Sequence, residues 1–174
     1  MGAADYLDKA IGWCRTAGLK VLIDLHGAPL SQNGFDNSGQ KLAHPGWQGG
    51  DSVNQTLQVL QTISKKYAGQ DYADVVMGIE LLNEPLGPQL NVPQIKDFYR
   101  AGYQGVRDVG ATTVVLHDAF IGTAAWDGFL MPSDSGAYYV ALDHHEYQVF
   151  DNGLVGMSPA AHRAVCSSFS SSMN

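Results

Sequence analysis

The chain has 174 residues, the length of one ordinary domain, and carries a net charge of −7 from 10 Lys+Arg against 17 Asp+Glu. A hydrophobic fraction of 45% excludes intrinsic disorder, and an acidic balance without a cationic cluster excludes a phosphate-neutralising nucleic-acid binder. No apolar run approaches the ~20 residues that span a bilayer, and the opening MGAADYLDKA has neither the cationic nor the apolar region of a signal peptide.

The first helical stripe is Leu7, Ala10, Ile11 and Cys14, ending at Gly18, a residue suited to a left-handed cap. Val21 to His26 follows as a nearly continuous apolar run, the pattern of a parallel strand covered on both faces. The alternation repeats. Val53, Leu57, Leu60, Ile63 and Tyr67 form a stripe behind Asp51 or Ser52 as N-cap, and Val75 to Leu82 reads as the next strand. Pro93 opens a third helix through Ile95, Phe98, Tyr99, Gly102 and Val106, leading to a strand at Thr113 to Leu116. Tyr138 to Leu142 makes a fourth strand, and Ser158-Pro159 opens a last short helix. The end, CSSFSSSMN, reads as a polar tail over residues 167–174 that does not pack, leaving residues 1–166 as the folded part. Strands alternating with helices predict a parallel α/β sheet, either open or part of a barrel.

The polar residues favour the barrel. Each strand ends in chemistry: Asp24-Leu25-His26, Asn83-Glu84-Pro85, His117-Asp118 and Asp143-His144-His145-Glu146-Tyr147. Barrel enzymes build their sites from the C-terminal ends of several strands, whereas no glycine-rich phosphate loop supports a nucleotide fold. Glu84, at the mouth of a buried strand, is where desolvation lifts a carboxyl toward the range of a general acid. Asn83 beside it offers an amide to a sugar hydroxyl. Phe35 and Phe150 lie in loops after strands, where an apolar ring has no core to fill, while Trp47 and Trp126 lie further along their loops and read as packing residues. A competing reading takes Asp24, His26, His117, Asp118, Asp143, His144 and His145 as metal ligands of an amidohydrolase-like barrel. Against it, the first strand offers Asp-x-His rather than two histidines, so neither a metal nor another cofactor is expected.

Four segments, VLIDLHGAPLSQNGFDNSG, GIELLNEPLGP, VVLHDAF and LDHHEYQVFD, in this order, resemble the fungal glucan exo-1,3-β-glucosidases of glycoside hydrolase family 5. The resemblance runs from Asp5 to about Cys166. It implies a TIM (β/α)₈ barrel, here cut to about strands three to six, and retaining hydrolysis of β-1,3-glucan or its oligosaccharides outside the cell or at the wall. It makes Glu84 the general acid/base and Asn83 its neighbour. It places His26, Asp36, Asn37, His145 and Tyr147 around the reacting sugar, and Phe35 and Phe150 as an aromatic clamp at the entrance. The family's nucleophile is a glutamate of the seventh strand, which has no counterpart in these residues, and Cys166 resembles a cysteine that pairs with one further on. The alternative is an inactive fragment or a glucan-binding protein. Four strands left open also expose two edges, through which self-association is expected.

Overall fold

The computed structural model describes residues 3–172. The predicted alternation is present. Helix α1 (Ala3–Thr16) ends before Gly18, whose φ of 70° turns the chain into strand β1 (Val21–Asp24). Helix α2 (Ser52–Tyr67) leads to β2 (Val76–Glu80), and α3 (Val92–Arg107) leads to β3 (Thr113–His117). Asn91 caps α3 by accepting the Gln94 N–H at 3.0 Å, with Pro93 in the first turn, where its missing N–H costs nothing. A single turn, α4 (Pro132–Ser135), precedes β4 (Val140–Asp143).

All four strands are parallel and ordered β1-β2-β3-β4, so each crossover advances one place in the same direction. A doubly wound sheet would reverse direction at a switch point; this one does not, which is the winding of a barrel. Register partners share a face of the sheet. One face carries Ile23, Ile79, Val114 and Leu116, all buried under the helices, together with Leu81 just past β2. Helix α3 lies so close to it that a Cβ on Gly102 would sit 2.8 Å from Leu81 Cδ1. The other face pairs Leu22 with Gly78, Asp24 with Glu80, Glu80 with Val115 and His117 with Asp143. Leu22 and Ala141 on that face are exposed, as the interior lining of an unclosed barrel would be.

Trp47 and Trp126 pack, as expected. The Trp47 ring meets Phe98 edge-on with centroids 4.9 Å apart and donates Nε1–H to Thr56 Oγ1, and Trp126 donates to the Asp118 carbonyl. Cys14 is only half-buried against the same core.

The fourth strand begins two residues later than the sequence suggests. Tyr139, at φ 52°, is left-handed and cannot continue an extended strand, although its carbonyl still accepts the Val114 N–H. The expected unstructured tail differs as well. Helix α6 (Pro159–Ser172), which follows the short α5 (Asn152–Val155), takes in most of it, and residues 173 and 174 lie outside the described residues. Ser167 and Ser168 hydroxyls bond back to the Arg163 and Val165 carbonyls, so these serines are accommodated within the helix.

The chain divides into two compact units, one ending at Asp143 and one beginning at His144. Within the second, Gln148 bonds the His162 ring and, at 3.2 Å, Cys166 Sγ, and Asp151 caps α5.

Candidate active site

The sheet register brings the strand-end chemistry together. Asp24, Glu80, His117 and Asp143 end β1 to β4 on the same inner face. Glu84 lies four residues beyond the end of β2. Its approach is anchored to both neighbouring strands: Leu81 N–H donates to the Val115 carbonyl, and Asn83 N–H donates to the Leu25 carbonyl at 3.0 Å. Leu82, Asn83 and Glu84 are all buried.

At Glu84 the backbone is left-handed, φ 49°. Pro85 disfavours the right-handed helical region for the residue before it, and a non-glycine residue held left-handed costs about 1–3 kcal/mol, so surrounding bonds must hold it there. The carboxylate accepts Asn37 Nδ2–H at Oε2, 2.9 Å. Glu84 also lies within 4.8 Å of a ligating nitrogen of the wholly buried His117. His117 Nδ1 accepts the Ala119 N–H, which leaves its proton on Nε2; its 3.7 Å approach to Asp118 is therefore not an ion pair.

Asn37 reaches Glu84 because the loop after β1 is tied into a compact knot. Ser31 Oγ bonds Ser38 Oγ at 2.6 Å and accepts the Gly34 N–H, Asn33 Oδ1 accepts the Phe35 N–H, and Asn33 Nδ2 donates to Asn37 Oδ1. The return of this loop passes so near Gly27 that a Cβ there would lie 2.3 Å from the Ser38 carbonyl oxygen. Gly27→Ala is therefore expected to destabilise the protein by about 1–3 kcal/mol, the usual cost of overpacking. Thermal unfolding checks it: an unchanged melting temperature would mean that the loop is loose enough to move aside.

Asn83 Nδ2 is buried and makes no hydrogen bond among the described residues. A buried donor in this position is costly unless something else accepts from it.

Residues 2–163 match the family model described as Cellulase (glycosyl hydrolase family 5). The chain belongs to this family. It is 47% identical over 175 residues to a glucan 1,3-beta-glucosidase of Pichia angusta, an alignment covering 99% of this chain and 40% of the relative. It is 50% identical over 165 residues to the glucan 1,3-beta-glucosidase of Schwanniomyces occidentalis, covering 94% and 38%. The chain thus spans about two fifths of the length of the relatives it matches. Among solved structures it is similar to a rutinosidase from Aspergillus niger, with a TM-score of 0.73 at 19% identity over 87% of this chain and 46% of that one. It is also similar to endo-glycoceramidase II from Rhodococcus sp., with a TM-score of 0.58 at 20% identity over 82% and 43%. The four parallel strands and their helices are accordingly part of a glycosidase barrel.

Within this family 5 segment the predicted site residues fall into groups. Asn83, Glu84 and Asn37 are brought together directly. His26 is exposed at the end of β1, its Nδ1 2.6 Å from Asp24 Oδ2. Asp36 lies beside Asn37 in a single 3₁₀ turn, and Phe35, just before it, is 43% exposed. His145, Tyr147 and Phe150 belong to the second unit, where the Tyr147 ring contacts those of His145 and Phe150, with Phe150 83% exposed. Family membership displaces the amidohydrolase-like reading. Of its candidates, Asp24 bonds His26, and His117 accepts the Ala119 N–H at Nδ1.

Sequence reasoning missed Gln32. It is wholly buried, and its side chain bonds three backbone groups of the loops that meet at Glu84. Nothing in the run Pro29-Leu30-Ser31-Gln32 distinguishes it from a solvated loop glutamine.

Proposed function

We propose that these residues form the acid/base half of the site of a retaining exo-β-1,3-glucosidase that removes glucose from β-1,3-glucan. The observation that carries this reading is the pairing of a buried Glu84 carboxyl with a buried Asn83 amide whose N–H is left over, at the C-terminal edge of a barrel strand. Glu84, protonated, gives its proton to the glycosidic oxygen as the bond to the anomeric carbon breaks. Asn83 Nδ2 donates to a hydroxyl of the same sugar, a bond that strengthens as the ring flattens toward an oxocarbenium ion. Asn37, by donating to Oε2, holds the carboxyl in orientation. The second carboxylate of a retaining pair stands about 5 Å from the first and attacks the anomeric carbon. By resemblance it is a glutamate of a later strand, so the activity belongs to the chain completed to the length of its relatives. Secretion to the medium or wall is part of the same reading; among the described residues no helix is long and apolar enough to cross a membrane.

The experiment is hydrolysis of laminarin by the completed protein, followed by proton NMR. β-Glucose as the first product supports both retention and exo attack. α-Glucose, or activity confined to β-1,4-glucan, would overturn the reading.

Phe35 and Phe150 are assigned by the same resemblance to the entrance, where their rings stack on a glucosyl face. Each changed to Ala is expected to lower kcat/KM on laminari-oligosaccharides by about tenfold, in line with an aromatic contact of about 0.5–1.5 kcal/mol, with a smaller loss on an aryl glucoside. Equal losses on both substrates would mean that the rings only pack.

A further inference from the structure

The loop after β1 and the turn after β2 are not held together only by the strand ladder. Gln32, wholly buried, lies between them. Its Oε1 accepts the Ala28 N–H at 3.0 Å, while its Nε2 donates to the His26 carbonyl at 3.0 Å and to the Asn83 carbonyl at 2.8 Å. Its own backbone carbonyl accepts the Leu86 N–H at 3.0 Å. The Asn83 carbonyl belongs to the peptide immediately before Glu84, and the Leu86 N–H lies two residues after it. One residue therefore grips the chain on both sides of the single left-handed residue between Asn83 and Leu86.

A left-handed, non-glycine residue relaxes unless its flanking peptides are fixed. The Gln32 side chain fixes the peptide before Glu84 and its backbone carbonyl fixes the Pro85–Leu86 peptide one residue further on, and the same side chain fixes the carbonyl of His26 just past the end of the neighbouring strand. We infer that Gln32 is the positioning residue of the site: it holds the Glu84 backbone in its left-handed conformation, and thereby the carboxyl in the place from which it reaches a glycosidic oxygen. Gln32 does so without touching the sugar, acting only through Glu84 and the strand ends. The inference rests on the function proposed above for Glu84.

Two variants test it in the completed protein. Gln32→Met keeps length and bulk but removes the acceptor and both donors. Gln32→Glu keeps the acceptor for the Ala28 N–H and replaces only the donor, which serves if the methionine variant folds poorly. Misplacing a catalytic group by about 1 Å can cost about 10²-fold in rate. The expectation is a fall in kcat of about 10- to 100-fold per mole of folded enzyme on an aryl β-glucoside, with KM within about twofold of wild type. A purely structural role would lower the melting temperature and leave kcat per folded molecule unchanged. Crystal structures of the variants should show Glu84 departing from φ 49° or losing the Asn37 bond. Wild-type kcat in a folded variant, or an unmoved Glu84, overturns the inference. If the unsubstituted completed protein hydrolyses no β-glucoside, the function proposed for Glu84 has failed, and the position of Glu84 in the variant crystals still decides whether Gln32 holds it.

Discussion

Glu84→Gln in the completed protein is expected to lower kcat on laminarin by about 10²–10⁴-fold, the usual contribution of a general acid/base. The amide nearly preserves shape and can still bond Asn37, but it has no proton to give to a departing alkoxide. A sugar alkoxide is a poor leaving group, so bond breaking waits on that proton. A dinitrophenolate leaves without one, and formation of the glycosyl intermediate from dinitrophenyl β-glucoside should be nearly unaffected. Turnover on it then slows at the second step, because water attacking the intermediate needs the same residue as a base. The signature is a burst of dinitrophenol followed by a slow steady state, accelerated by added azide, a nucleophile that needs no base. Equal loss on both substrates, without a burst, would show that Glu84 is not the acid/base. The 174 residues by themselves should release no glucose at a useful rate, since removing one member of a catalytic unit costs orders of magnitude. Release at an enzymatic rate, abolished by Glu84→Gln, would require a second carboxylate within this segment.

The second large effect is in solution behaviour. Expressed alone, these residues are expected to self-associate. Strands β1 and β4 end the sheet order, and strand edges are templates for further pairing, which complete barrels avoid by closing. The inner face adds apolar surface: Leu22 is 43% exposed and Ala141 is exposed on it, while Tyr138 and Tyr139, just before β4, are 51% and 60% exposed. Size-exclusion chromatography with light scattering should report dimers or larger species, and Leu22→Lys, which puts a charge on β1, should shift them toward monomer. A clean monomer with cooperative thermal unfolding would show that the half-barrel satisfies its own core.

How much of this protein could be read without coordinates differs by element. Helices α1, α2 and α3 and the three strands they precede were legible because each is local: a stripe at helical spacing, a capping residue or proline, then a short apolar run. The start of β4 was not legible, because Tyr138 and Tyr139 have strong strand propensity and only the left-handed backbone at Tyr139 excludes them. At the serine-rich end composition suggests a solvated tail and is silent on its backbone: helix α6 runs through Ser172, and the exposed Ser167 and Ser168 hydroxyls bond carbonyls of their own helix.

At the site the division follows the same physics. The sequence by itself pointed to the residues proposed to carry chemistry, because Asn83, Glu84 and the strand-end motifs are contiguous and sit where apolar runs stop. Only the tertiary structure decided how they are held. The register that puts Asp24, Glu80, His117 and Asp143 on one face, and the bond from Asn37 to a carboxylate 47 residues away, depend on pairing between distant strands and loops. Gln32 is the clearest case. Its neighbours in sequence are those of an ordinary polar loop, and its burial exists only because two strand ends close around it, leaving backbone groups that one glutamine amide is shaped to satisfy.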